Sequence, residues 1–310
     1  MSSGDDLSLK RFRAPRYWPT WLLWLSLRLV AKLPFRLQLA LGRGLGRLLG
    51  LAMRRQRRIA RRNLGICFPE LSQAETESLL ARHFEAVGMS FVEMGIGWFT
   101  PVERLRRLIR VEGREHLERA MADERGVLLL TAHFTTLETG VSIFLDVCPG
   151  LYSMYRPQRN AMTDVMIRKG RSRFTSRQIA RDNVRALVRA LKAGKVVAYL
   201  PDQTYVGNQS TLLPFFGEPA MTNVAMSKLA RIGNARVLPY LFRRLPGTEG
   251  YLVTIGPPFE GVPSDDAAAD TLQWVHALER HIRLAPDQYL WLYKKFKNRP
   301  PPLPDPYADL

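Results

Sequence analysis

From residue 126 to residue 255 the chain alternates short apolar runs with longer stretches of helical periodicity. The runs are Val127 to Thr131, Leu151 to Tyr155, Val196 to Leu200, Arg236 to Phe242 and Tyr251 to Ile255, each strand-like in length and in its aliphatic, β-branched and aromatic content. Between them, Ala161 to Arg173, Asn183 to Lys192 and Asn223 to Ile232 repeat apolar residues at helical spacing. Strands alternating with helices predict an α/β domain. Upstream, S-Q-A-E at Ser72 to Glu75 is a capping-box pattern ahead of a long apolar periodicity, so a helix is expected to start there. A short charged helix is expected after Pro101, and no internal repeat is visible. The tail PPPLPDPYADL reads as a proline-rich extended end.

The first 65 residues follow a different pattern. YWPTWLLWLSLRLVAKLPF, from Tyr17, has an apolar core between Thr20 and Ala31 that Arg28 interrupts. That is shorter than the ~20 residues a perpendicular spanning helix needs. Lys10, Arg11, Arg13 and Arg16 precede it as in a signal peptide, but no small-x-small cleavage site follows. With Trp18, Trp21 and Trp24 as interfacial aromatics, the segment reads as an uncleaved anchor lying in or dipping into a membrane interface. A second apolar run, LQLALGRGLGRLLGLAM, leads into RRQRRIARRN, where Arg54, Arg55, Arg57, Arg58, Arg61 and Arg62 crowd together. The expected organisation is a membrane-anchoring helical segment over 1–65, a catalytic domain over 66–299 and the tail over 300–310.

Charge sharpens this reading. The 310 residues carry 46 Lys and Arg against 28 Asp and Glu, a formal net charge of +18, so an anionic partner is expected. Fifteen of the bases lie before residue 66, opposed only by Asp5 and Asp6. A basic cluster beside an apolar helix supplies the two signals that stable attachment to an anionic membrane requires, and the positive-inside bias puts it on the cytosolic face. The competing readings are a solvated charge run and a nucleic-acid footprint; no nucleic-acid module accompanies the arginines. Cys67 and Cys148 are too few for a disulfide framework and lack zinc-ligand spacing, and no histidine pair has HExxH spacing, so no metal is expected.

Within GVLLLTAHFTTLETG, His133 closes an apolar run and Glu138 follows five residues later. Thr135 and Thr136 are N-cap candidates, which puts His133 at a strand end just before a helix, where α/β folds gather functional groups. Glu138, about one helical turn on, would accept a hydrogen bond from the imidazole, fixing its tautomer and raising its basicity. On spacing alone, a packed core histidine fits as well as a catalytic base.

Further boxes follow in order: YRPQRN (Tyr155 to Asn160), YLPDQ (Tyr199 to Gln203), PFFGEPAMT (Pro214 to Thr222) and DQYLWLYKKFK (Asp287 to Lys297). Together with the His-x4-Glu box and RRQRRIARRNLGICFPEL, they span nearly the whole chain. In these features the sequence resembles the late acyltransferases of lipid A biosynthesis, the lauroyl and myristoyl transferases of Gram-negative bacteria. The resemblance implies a mixed central sheet flanked by helices, as in glycerol-phosphate acyltransferases, with the amino-terminal anchor at the cytoplasmic face of the inner membrane. It also implies transfer of a fatty acyl group from an acyl-carrier-protein thioester to the 3-hydroxyl of an acyl chain on a Kdo-bearing, tetra-acylated disaccharide. His133 would be the general base and Glu138 its orienting carboxylate. Arg156 is the candidate stabiliser of the tetrahedral oxyanion. Asp202 and Gln203, after the Val196 to Leu200 strand, are candidates to line the crevice or to cap a loop; Gly217 and Thr222 are candidates for the acceptor side. Tyr289, Trp291 and Tyr293 alternate as in a strand and read as core, while Lys294, Lys295 and Lys297 read as a solvated cluster or a phosphate contact. A thioester is already activated, so no cofactor is expected beyond acyl carrier protein as co-substrate. The expected partners are acyl carrier protein, a lipid A precursor glycolipid and an anionic membrane, with no nucleic acid.

A lysophospholipid acyltransferase would share the His-x4-acid box but would carry a block like FPEGTRS where this chain has YLPDQTYVG. Mannoside-lipid acyltransferases share more of the pattern, and a non-catalytic basic surface protein leaves the ordered boxes unexplained.

Overall fold

The computed structural model describes residues 7–142, 147–204 and 207–310; within the YLPDQTYVG block, residues 205–206 lie outside them. Strand β2 (Gly126–Leu130) is buried along its entire length, as a continuous aliphatic run in the middle of a parallel sheet must be. Around it a seven-stranded sheet forms from β1 (Ile109–Glu112), β3 (Tyr152–Tyr155), β4 (Arg177–Ala180), β5 (Val196–Tyr199), β8 (Ala235–Arg244) and β9 (Tyr251–Ile255), in the order β1-β9-β8-β2-β5-β3-β4. All neighbours are parallel except β8 and β9, so the sheet is mixed, as expected. Strands β1 and β4, at its two edges, are too short and too polar to stand out in the sequence.

Strands β6 (Ser210–Phe215) and β7 (Glu218–Asn223) form a separate hairpin. Its two-residue turn, Phe216-Gly217, has positive φ at both positions, the twist that matches a tight hairpin. This is what Gly217 does in the fold.

Eleven helices are described. Those before the sheet are α1 (Trp18–Val30), α2 (Phe35–Ala52), α3 (Arg54–Cys67), α4 (Gln73–Phe99) and α5 (Val102–Leu108). Then come α6 (Arg114–Ala122), α7 (Leu137–Ser142), α8 (Ala161–Arg171), α9 (Val184–Lys192), α10 (Ala225–Gly233) and α11 (Ala267–Leu284). The capping box that opens α4 is complete: Ser72 accepts from the Glu75 amide and Glu75 accepts from the Ser72 amide. Asn160 and Asn183 cap α8 and α9 with side-chain oxygens that accept from first-turn amides.

The amino-terminal segment requires a correction. No helix among the described residues is long and apolar enough to cross a membrane. Helix α1 has only thirteen residues. The described part of the 1–65 segment therefore supplies no spanning anchor, and the inner-membrane location drawn from that anchor loses its basis. The physical reason lies in what the apolar stripes cover. Trp24 and Leu27 of α1 are buried, and Trp24 packs edge-on against Phe99, 4.8 Å between centroids. Trp21 donates its indole N–H to the Phe12 carbonyl at 2.7 Å.

Helix α2 turns its glycines Gly42 and Gly46 toward α4, where a Cβ on Gly88 would fall 2.2 Å from backbone atoms of both. Only glycine allows that approach. Helix α3 buries Ile59, Ala60 and Leu64 in the main core, while Arg57 and Arg61 pair with Glu77 and Arg62 pairs with Asp309. The outer faces of α1 and α2 keep Trp18, Leu22, Leu29, Leu48 and Leu51 at 63% to 70% exposure.

Two buried polar clusters tie these helices to the sheet and to the carboxyl-terminal segment. Glu93 of α4 accepts from Arg244 of β8 at 2.7 Å and from the Tyr251 hydroxyl of β9 at 2.8 Å. Asn63 of α3 donates to the carbonyls of Trp291 and Tyr293 and accepts from the Tyr307 hydroxyl. Tyr307 is buried, so the proline-rich end is packed onto the core at that residue.

Candidate active site

Strands β2 and β5 run in parallel with Leu130 opposite Tyr199. Each chain leaves the sheet at the same edge, and three residues further on lie His133 and Asp202. The register therefore brings the two side by side: His133 Nδ1 lies 2.7 Å from Asp202 Oδ1, and the His133 amide donates to Asp202 Oδ2 at 3.0 Å. An ionised carboxylate only accepts, so Nδ1 carries the proton and Nε2 keeps its lone pair. The histidine side chain is 31% exposed and the aspartate 1%, so the open side of the pair is the imidazole.

Burial opposes charge on His133, but the Asp202 carboxylate outweighs it, and nearby Arg171 pulls partly back; the imidazole stays above its ordinary pKa. For Asp202 burial works the other way, yet the contacts from His133 and the charge of Lys295 hold it below the usual carboxylate range.

The segment after α11 completes the setting. A short 3-10 turn, Pro286–Gln288, is followed by Tyr289, which forms an isolated bridge with Phe134. The Leu290 amide donates to the His133 carbonyl at 2.9 Å, and the Thr135 amide to the Gln288 carbonyl at 2.8 Å, so backbone fixes the loop on both sides of the histidine. The Tyr289 hydroxyl lies 3.3 Å from Asp202 Oδ2, and Lys295 donates to the Asp202 carbonyl at 2.8 Å. Lys295 is only 4% exposed, unlike the solvated lysine the sequence suggests, and its ammonium sits 4.5 Å from the centroid of Phe215. Tyr289 and Trp291 are buried, as the core reading expects, although they form no regular strand.

The other candidate residues are placed differently. Glu138, in the first turn of α7, gives its carboxylate to Arg171 of α8 and to the Trp98 indole at 3.0 Å. The sequence pattern expects it on the imidazole; the structure places it on Arg171, where its charge opposes that of a guanidinium that lowers the basicity of His133. Arg156 follows β3 at the same sheet edge, exposed, with its carbonyl accepting from Gln158. Gln203 adjoins Asp202 and is partly buried. Thr222 is buried within β7 and donates to the Ala220 carbonyl. With Gly217 in the hairpin turn, neither acceptor-side candidate shares a hydrogen bond with His133 among the described contacts.

Sequence reasoning does not single out Arg171, Trp98, Tyr289 or Lys295 as members of this constellation. Nothing in the spacing marks the first two; the matched three-residue offset after β2 and β5 would have paired Asp202 with His133 had the strand order been known. Thr131, Thr135 and Thr136 carry buried hydroxyl oxygens with no hydrogen-bond partner among the described residues. Such groups are uncommon in native structures and here flank the histidine. No cluster of His, Cys, Asp and Glu suited to a metal ion occurs among the described residues.

A carboxylate-oriented imidazole set at the carboxyl edge of a mixed α/β sheet has the arrangement that general-base chemistry requires. Comparison with known proteins supplies the reaction class. The family model for bacterial lipid A biosynthesis acyltransferases matches residues 8–298, and the chain belongs to that family. It is 40% identical over 295 residues to the lipid A biosynthesis lauroyltransferase of Escherichia coli K12, covering 94% of this chain and 96% of that one. It is 37% identical over 295 residues to the palmitoleoyltransferase of the same strain, covering 94% and 95%. To the myristoyltransferase of that strain it is 27% identical over 300 residues, covering 96% and 93%. The protein is thus an acyltransferase of lipid A biosynthesis.

Proposed function

We propose that this acyltransferase moves a fatty acyl group from an acyl-carrier-protein thioester to the 3-hydroxyl of an acyl chain on a tetra-acylated, Kdo-bearing lipid A precursor, with His133 as general base. The observation that carries the mechanism is the short contact between His133 Nδ1 and Asp202. It leaves Nε2 to take the hydroxyl proton as the oxygen attacks the thioester carbonyl. A carbon–oxygen bond forms and a tetrahedral oxyanion develops; collapse breaks the carbon–sulfur bond, and the proton on Nε2 passes to the departing thiolate. The imidazolium formed in between is stabilised by Asp202, as in other carboxylate-supported histidines.

Asp202 takes the orienting role in this reading, and Glu138 acts through Arg171. Arg156, at the end of β3, is the candidate donor to the oxyanion, and the unpartnered hydroxyls of Thr131, Thr135 and Thr136 are candidate substrate contacts. Acyl carrier protein is acidic and the precursor carries phosphates and Kdo carboxylates, so the chain's charge of +18 suits both.

The test supplies purified protein with acyl carrier protein thioesters of several lengths and the tetra-acylated acceptor, and follows the lipid mass. The reading predicts a gain of one acyl group; no gain with any thioester overturns it.

A further inference from the structure

Beyond the His133 site lies a cleft of about 510 Å³ where the carboxyl ends of α1 and α4 meet. Four cations line it, Arg28, Lys32, Arg104 and Arg173, with Trp98 and Phe99 as its aromatic wall. No carboxylate lines it, and among the described residues none of the four cations forms an ion pair. On the neighbouring helices α2 and α3 arginines are matched by acids of α4, as Arg47 is by Glu85 and Arg57 by Glu77.

Part of the charge answers backbone. Arg104 donates to the Leu33 carbonyl at 2.6 Å, and Arg173 to the carbonyls of Gly97 and Thr100 at 3.0 and 2.9 Å. These contacts satisfy the carbonyls exposed where α1 and α4 end and hold the cleft's walls. Burial without an acid lowers the Arg173 pKa, which an arriving anion would reverse. Arg28 and Lys32 are exposed and have no such duty, so the cleft carries two cations that the fold does not use.

We infer that this cleft binds a phosphate-class anion borne by the acyl acceptor. Leu25 and Leu29 of α1, near Arg28 and the following Lys32, are exposed, which fits an anion attached to acyl chains better than a free one. The cleft also touches the catalytic apparatus: Trp98, in its wall, holds Glu138 through the indole N–H. The inference rests on the acyl transfer proposed above, and it gives the short amino-terminal helix a part in binding the acceptor.

The test uses the full chain, wild type and a variant combining Arg28→Gln and Lys32→Gln, with the phosphorylated acceptor and the same acceptor after phosphatase treatment. The variant is expected to raise KM for the phosphorylated acceptor about tenfold, with kcat within about twofold. It should leave KM for the dephosphorylated acceptor unchanged. Equal KM values for variant and wild type on the phosphorylated acceptor, with thermal midpoints also equal, overturn the inference. Inorganic phosphate and vesicles of anionic phospholipid are added as competitors. Inhibition of wild type but not variant by the vesicles alone would assign the cleft to bulk lipid headgroups and contradict the acceptor. Relief of inhibition in the variant with phosphate alone would contradict the need for an attached chain. If the wild type transfers to neither acceptor, direct binding of the phosphorylated lipid to the two proteins still decides the cleft, separately from the reaction.

Discussion

The amino-terminal helices and the carboxyl edge of β2 and β5 are both built from apolar runs that end in chemistry, yet they differ in what the run faces. At the sheet edge the aliphatic run of β2 is covered on both faces by its own domain, and the polar residue that ends it is delivered to an open edge. In α1 and α2 one stripe is buried against α4 by tryptophan and by glycines at close approach, while the opposite stripe stays exposed. An apolar pattern tells how much surface needs covering but not by what. A strand end followed by a helix has few arrangements; an amphipathic helix beside arginines has several.

The largest expected effect lies at the sheet edge. Replacing His133 by Ala should reduce transfer by about 10²–10⁴-fold, the usual contribution of a general base, with little change in thermal midpoint. Asp202→Asn should cost nearly as much in kcat. It should also move the acid limb of the pH profile to lower pH, because removing the carboxylate removes what raises the imidazole pKa. In the wild type that limb is expected above the ordinary imidazole value of about 6.5, since the base works only when neutral.

On the helical side, Glu93→Ala leaves Arg244 buried without its carboxylate and should destabilise the fold by about 3–5 kcal/mol, read by denaturant unfolding. A Glu138→Gln enzyme should show a smaller loss of activity with the acid limb again shifted down, as Arg171 loses its counter-charge. The smallest effect belongs to the exposed stripe: Leu22→Ser or Leu29→Ser should change stability by less than about 0.5 kcal/mol.

Much of the fold is legible in the sequence, and the reasons are local. The five strands expected between residues 127 and 255 occur as β2, β3, β5, β8 and β9, because aliphatic and β-branched runs bounded by turns have few alternatives. The box at Ser72 marks the start of α4 because a capping box satisfies amides within four residues. His133 was legible as a strand-end residue for the same reason. Its partner was not: Asp202 is 69 residues away and meets it only through the parallel register of β2 and β5. The burial of Lys295 and the pairing of Glu138 with Arg171 likewise depend on elements distant in sequence.

The most direct measurement of the central claim is ¹⁵N NMR of the His133 imidazole across pH, in the wild type and in Asp202→Asn. The account predicts a wild-type ring protonated at Nδ1 when neutral and titrating above about 6.5, with a lower pKa in the variant. A ring whose tautomer and pKa are the same in both proteins would contradict it.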